Sequence, residues 1–373
     1  MTKLGRMLEI RGTYTTLAIA LCVGLMCVRL VDAQTSVPKY SNEFLKIGVS
    51  ARAAGMGNAL TAWTDDASSG YWNPALMVYQ KTKHELDLMH SEYFAGVAKY
   101  DYAAFNTRIE GDRRLGFTFI RFGVDDIPNT LNFRDGNNFN YDLISSFSVA
   151  DMALIMSYAQ RIQQVKGLSL GGSFKVVNRI AGEFATAWGF GLDVAAAYQR
   201  DRLYLGLIAS DVTSTFNAWT FNTETFEEGF LEANQEIPQN SVEITLPSAR
   251  LGVGYRLLPE GKKIGLYASA QANLAFDGPR NVVTNLGRVS LDPAMGLEAN
   301  YKGIVFARAG VMNFQYLIDE KNEKYLSAFP TAGVGISYWN ISLDYALSNL
   351  SGFDLGLYSH LISLRIGFDA LKL

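Results

Sequence analysis

Three groups of residues have the types and spacing that could do chemistry. Gly55-Met56-Gly57-Asn58-Ala59-Leu60 opens like a dinucleotide-binding turn, in which glycines let the backbone approach a pyrophosphate. The third glycine is missing and no buried strand leads into the run, so packing of small residues against a wall is the better reading. Asp65-Asp66 could hold a metal or share a proton. The residues that follow, Ala67-Ser68-Ser69-Gly70, read more simply as a turn and cap, with Arg52 as a partner for one of the two acids. The histidines are His84, His90 and His360. His84 and His90 share one strand face but are too far apart along it for a small metal site. Ser359-His360 is a loose serine–histidine candidate near a rim, but neighbours along a strand point to opposite faces. No Gly-X-Ser-X-Gly elbow occurs. The expectation is a protein without catalytic residues, without a metal and without a cofactor.

The elements that must position these groups have a period of two. Between Ala185 and Gln199, Thr186, Trp188, Phe190, Leu192, Val194, Ala196 and Tyr198 fall on one face. Ala187, Gly189, Gly191, Asp193, Ala195, Ala197 and Gln199 fall on the other. A helix would mix the two sets, whereas a strand separates them. Fourteen such segments lie near residues 83–91, 95–107, 113–122, 148–160, 167–178, 184–199, 202–210, 247–258, 263–276, 293–301, 303–312, 330–339, 340–348 and 358–370. Most run to about 9–14 residues, longer than the strands of soluble proteins and enough for a tilted strand, which needs about 9–11 residues to cross a bilayer.

The links between segments mostly alternate in length. Short ones stand at 110–112, 163–167, 200–201, 260–262, 301–303 and 339–340, and longer loops at 123–147, 211–246, 277–292 and 313–329. Short periplasmic turns and long outer loops are the pattern of an outer-membrane barrel; a β-sandwich or propeller gives no cause for it. Tyr198, Tyr255, Tyr301 and Tyr338 lie near strand ends, as an interfacial girdle requires. Pro128 falls in a loop, while Pro247, Pro259, Pro293 and Pro330 mark strand edges, away from positions where a ladder bond would be lost. The inward positions are mainly Gly, Ala and Ser, not strongly charged, with scattered Arg250, Arg256, Arg308 and Arg365. Such a lining leaves room for an inserted segment.

The first 33 residues have the pattern of an export signal. Lys3, Arg6 and Arg11 precede an apolar core from Leu17 to Val28, and Val31-Asp32-Ala33 offers a cleavage site. Both cysteines, Cys22 and Cys27, lie in this leader, so the mature chain has neither disulfide nor thiolate chemistry. The leader holds four of the 33 basic and two of the 36 acidic residues, which leaves a net charge of −5 and no basic face for nucleic acid. The expected organisation is a signal peptide over 1–33, a plug over 34–82 and an all-β transmembrane antiparallel barrel of about 14 strands over 83–373.

Phe44-Leu45-Lys46-Ile47-Gly48, Ser50-Ala51-Arg52-Ala53-Ala54-Gly55-Met56-Gly57, Asp65-Asp66 and Trp72-Asn73-Pro74-Ala75 together resemble the PorV/PorQ family of outer-membrane proteins. Asp126-Ile127-Pro128-Asn129-Thr130 adds to the match. The family looks related to the FadL-like 14-stranded barrels, which carry a similar Gly-Met-Gly and Asn-Pro-Ala signature. The resemblance implies a component of the type IX secretion system in the outer membrane of a Gram-negative bacterium. Its partners would be outer-membrane lipid and other secretion-system proteins or secreted cargo. It also implies a structural or gating plug motif of Arg52, Gly55, Gly57, Asp65, Asp66, Trp72, Asn73 and Pro74. The long loop at 211–246 carries Phe216, Trp219, Phe221, Phe226 and Phe230, aromatic anchors of the kind that bind protein partners. The alternative is a FadL-like channel for uptake or export of hydrophobic small molecules, with the ligand in the lumen.

Overall fold

A computed structural model describes residues 40–130, 134–135, 138–223, 240–319, 321–348 and 358–369. Residues 1–33, expected to be a leader, and Phe226 and Phe230 lie outside the described residues. Fourteen staves form one antiparallel sheet that closes on itself. They are β1 (His84–Tyr93), β2 (Ala98–Arg108), β3 (Arg113–Asn129), β4 (Ser145–Arg161), β5 (Leu168–Ala181) and β6 (Ala185–Arg200). Then come β7, in two parts (Leu203–Ser210 and Thr215–Phe221), and β8, also in two (Ser241–Thr245 and Ser248–Arg256). The ring continues with β9 (Ile264–Ala275), β10 (Val289–Tyr301), β11 (Val305–Ile318), β12 (Lys324–Tyr338), β13 (Ile341–Ser348) and β14 (Ser359–Phe368). Closure is made by β1, which pairs with β2 on one edge and with β14 on the other, from His84↔Phe368 to Glu92↔His360. A closed ring leaves no strand edge unpaired in lipid, where an open edge has no water to bond.

Side-chain alternation decides which face meets the lipid. On β6, Trp188, Phe190, Leu192 and Val194 are exposed on the outer surface, while Ala187, Ala195 and Ala197 are buried inside. The same alternation exposes Leu203, Leu205 and Leu207 of β7 and Leu251, Val253 and Tyr255 of β8. No described helix is long and apolar enough to cross a membrane.

Several strands, β3, β10, β11 and β12 among them, run further than their alternation suggests, and two staves continue past a break. β3 extends to Asn129, pairing Pro128 with Ser146 beyond an irregularity between Val124 and Ile127. β7 and β8 resume as Thr215–Phe221 and Ser241–Thr245 inside the stretch read as one long loop. Their patterning is interrupted by Asp211–Ser214 and by Pro247, which is why they look like loop in the sequence. Pro128, Pro293 and Pro330 therefore lie within strands and not in a loop or at edges. The physical reason is shared. At Pro128 strand β2 has already ended its pairing, at Val124. Strand β11 joins β10 only from Met295, and β13 joins β12 only from Ala332. Among the described residues each proline thus has one unpartnered edge, where a missing N–H removes no ladder bond.

Residues 40–83 lie within the ring. They form a 3₁₀ turn (Glu43–Lys46), two short helices, α1 (Ala51–Gly55) and α2 (Ser69–Trp72), and a second 3₁₀ turn (Pro74–Tyr79). Val49, Ala51, Ala53, Met56, Leu60, Ala67, Leu76 and Met77 are fully buried there. What admits this segment is a series of inward glycines. A Cβ at Gly206 would stand 1.9 Å from the Thr61 carbonyl oxygen, one at Gly310 2.2 Å from Gly57 N, and one at Gly171 2.5 Å from Ala75 N. Gly206→Val should therefore expel the inner segment locally without unzipping the barrel. The expected result is faster protease cleavage within residues 51–72 with heat-modifiable gel migration retained; unchanged protection would contradict this packing.

Candidate functional site

The inner segment is tied to the wall by a continuous chain of buried ion pairs. Arg52, on α1, is the central link. Its Nη1 donates to Asp65 Oδ1 and to Asp66 Oδ2, each at 2.8 Å. Its Nε and Nη2 donate to the two carboxylate oxygens of Glu298 on β10, at 3.0 and 3.3 Å. Glu298 Oε2 also accepts from Arg308 Nε of β11 at 2.7 Å, and Arg308 Nη1 reaches Asp344 of β13 at 2.6 Å. Arg308 crosses the intervening strand β12 above Gly335, where a Cβ would lie 2.1 Å from Asp344 Oδ1. On the other side Arg365 of β14 donates to Asp66 Oδ2 at 2.7 Å and to Ser342 Oγ at 3.0 Å. Three guanidinium groups face four carboxylates, and Lys81, 3.7 Å from Asp65, adds a fourth cation.

Local structure presents Asp66 for this role. Its Oδ1 accepts from Thr64 Oγ1 at 2.9 Å, from the Ser68 amide at 3.0 Å and from the Ser68 hydroxyl. That is the turn-closing pattern of a short acid, and it leaves Oδ2 for Arg52 and Arg365. Burial would raise the Asp66 carboxyl, but Arg365 and Arg52 hold it below the ordinary carboxylate value. Burial opposes ionisation of Asp65 in the same way and is outweighed by Arg52, with Lys81 adding to it.

The remaining motif residues are structural contacts. Gly55 packs on Gly333 of β12, and Gly57, at φ +60°, meets the backbone of Met295 and Val311. The Gly57 amide donates to Thr331 Oγ1 at 3.1 Å. Nothing in this arrangement resembles a phosphate cradle, because the wall occupies the space. Trp72 Nε1 donates to the Val49 carbonyl at 3.1 Å. Asn73 caps the following turn, its Oδ1 accepting from Ala75 N at 3.1 Å and its Nδ2 donating to the Thr61 carbonyl at 2.9 Å. Pro74 opens that turn, where its fixed φ and missing N–H cost nothing.

Other candidates are dispersed. His84 meets Thr107 and His90 meets Asp101, on separate parts of β1. Ser359 is buried, whereas His360 is exposed and bonds Tyr345. Among the described residues no group of three His, Cys, Asp or Glu could hold a metal ion. Phe216, Trp219 and Phe221 stand on β7 and not on a loop: Phe216 is exposed, and Trp219 Nε1 donates to Glu243 of β8 at 2.9 Å. The reading of a weakly charged lumen is corrected here. Glu85, Asp87, Lys175, Asp193, Glu298, Arg308 and Asp344 are all buried on inward positions. The available signal was an acid at inward parity in a membrane strand, as in Met295-Gly296-Leu297-Glu298 and Ile341-Ser342-Leu343-Asp344.

The closed 14-stave ring is the fold of a FadL-like outer-membrane barrel. A structure titled CymD monoaromatic hydrocarbon channel is similar over 87% of this chain and 98% of its own, with a TM-score of 0.55 at 14% identity. The toluene transporter TodX of P. putida is similar over 86% and 98%, with a TM-score of 0.51 at 12% identity. A FadL homologue from Pseudomonas aeruginosa covers 90% and 100%, at a TM-score of 0.45 and 13% identity. At these identities the likeness to the first two concerns the fold alone. No curated protein matches the sequence. The model of the family described as type IX secretion system protein PorV matches residues 32–217, from before the inner segment into β7. The chain belongs to the PorV family.

Removing Arg52 would leave Asp65, Asp66 and Glu298 short of a cation in a buried setting. Arg52→Ala should cost the docked segment about 3–5 kcal/mol, measured as increased amide exchange over residues 51–72. The acid response has a defined sign. Because the folded Asp66 pKa lies below the unfolded value of about 3.9, its stabilisation is complete above that pH and is lost as pH falls through the folded value. Fluorescence of Trp63 and Trp72 in detergent should stay constant from pH 7 to about 4 and change only below it.

Proposed function

We propose that this protein is a non-enzymatic component of the type IX secretion system that binds protein partners at the outer membrane. On this reading the leader is removed near Ala33, residues 34–82 act as a fixed plug and residues 83–373 form the barrel. The observation that carries the proposal is the ion chain through Arg52, Glu298 and Arg308, in a chain whose family is that of type IX secretion. A lumen crossed by buried, mutually neutralised charges suits an anchored platform better than an open pore. Partner contacts would then fall on the outward ends of the staves, where Phe216, Trp219 and Phe221 extend β7. Their exposed and half-buried rings are the type of anchor that carries interface energy.

A second reading, a channel for hydrophobic molecules, is favoured by the likeness to the hydrocarbon-channel structures. The two differ in what accompanies the protein. Purification from native outer membrane should yield a secretion-system subunit or cargo; bound lipid with no protein partner would favour the channel. Deleting the gene should abolish surface display of secreted cargo, and normal display in the deletion strain would end the secretion reading.

A further inference from the structure

The lipid-facing wall has a hollow of ≈ 570 Å³ over β5 to β10. No residue of the inner segment lines it, so it lies outside the barrel. Gly206 and Gly252 are part of its lining, and a Cβ on either would strike Thr61 or Ala62 on the lumen side. These glycines are paired across β7 and β8, and they let the wall draw in towards the lumen. The side chains on the outer surface are apolar apart from the Tyr198 phenol; Gln271 is turned inward and accepts from the Thr61 amide.

Strand register gives the hollow a direction. Leu168, Tyr198, Leu205, Val253, Ala270 and Met295 are successive partners across β5 to β10. The next outward row holds Ala196, Leu207, Leu251, Ala272 and Pro293. The first row starts on the opening residue of β5 and ends at Met295, well above the Tyr301 end of β10. Five strand spacings make about 24 Å. At a strand tilt of about 40° the row climbs about 15 Å, half of a hydrocarbon core of about 30 Å. The connections at its lower end, 162–167 and 201–202, are among the short ones, which face the periplasm in such barrels. The hollow therefore runs from the periplasmic interface to the middle of the bilayer, the depth of one lipid leaflet.

Cations gather at the lower end. Lys166, Arg200 and Arg202 are exposed there, each two or three residues from Leu168, Tyr198 or Leu205 of the hollow. The Gln199 amide donates to the Gly167 carbonyl at 2.8 Å, which sets Lys166 beside Arg200. Arg200 has only the neighbouring Asp201, at 3.9 Å, and among the described residues no carboxylate stands within ion-pair distance of Lys166 or Arg202. In a membrane such a hollow is filled by hydrocarbon, since an unfilled one forfeits dispersion contacts. The cations then select the headgroup that comes with the chain. A second copy seated here by a two-fold axis would instead set the same cations against one another.

We infer that this hollow holds one acyl chain of an anionic phospholipid of the periplasmic leaflet, with its headgroup on Lys166, Arg200 and Arg202. The site is independent of the secretion reading, because it lies on the outside of the wall and uses no residue of the plug motif.

Native mass spectrometry of the purified protein in detergent tests it. The probe is palmitoyl-oleoyl phosphatidylglycerol, compared with the phosphatidylethanolamine of the same chains and with free glycerol phosphate. One phosphatidylglycerol should be retained at least about tenfold more tightly than phosphatidylethanolamine, given three basic residues at the headgroup level. Free glycerol phosphate should not displace it, because the chain supplies the rest of the contact. This comparison uses unmodified protein and does not depend on a variant folding. Replacing Arg200 and Arg202 together by glutamine should bring the two lipids to equal retention. Ala272→Phe, which fills the hollow from the lipid side, should remove the single adduct with heat-modifiable gel migration retained; a lipid in the lumen would be unaffected by it. Equal retention of the two lipids by the unmodified protein overturns the site. So does displacement by glycerol phosphate, an adduct that survives Ala272→Phe, or recovery of a lipid-free dimer.

Discussion

Glu298 lies between two guanidinium groups that belong to different parts of the fold. One is Arg52, on a five-residue helix inside the ring; the other is Arg308, on the neighbouring strand of the wall. Its side chain is 1% accessible, so the loss of either cation leaves a buried carboxylate with one partner in place of two. An uncompensated buried charge costs far more than the pair returns. The inner segment and the wall are consequently one electrostatic unit. The contact also orders the chain around it, because Asp66 and Asp65 on one side and Asp344 on the other close the series.

Such a network is weak evidence for raw stability and better evidence for a single docked arrangement. The wall supports that view at a cost of its own. Glycine is a poor strand residue, yet Gly206, Gly296, Gly310, Gly333 and Gly335 occupy inward positions where a side chain would strike the inner segment, Met56 or Arg308. Their placement sacrifices strand propensity for close backbone approach. The same sacrifice permits Arg308 to cross β12, which no residue with a Cβ at position 335 would allow.

The architecture was largely legible because lipid on one side and a packed lumen on the other enforce period-two alternation. Beyond the bilayer both faces meet water and that cause disappears. The outer parts of β3, β7 and β8 therefore read as loop, and Pro128 looked like a loop residue. The inner segment was legible as a packing motif from Gly55, Gly57, Asn73 and Pro74. Its counterparts were not, since Glu298 is 246 positions from Arg52 and the wall glycines are scattered over several strands. Arg308 and Arg365 looked like isolated cations because the sequence does not show which acids face them across the barrel.

The central claim is that Arg52 and its partners hold the inner segment in one position across the lumen. Hydrogen exchange on the purified protein tests it most directly, because local protection reports the free energy of opening. The account predicts that amides from Ala53 to Asn58 exchange as slowly as those of β10 and β11. Complete exchange of that stretch within minutes, with the strands still protected, would contradict it and make the segment a moving gate.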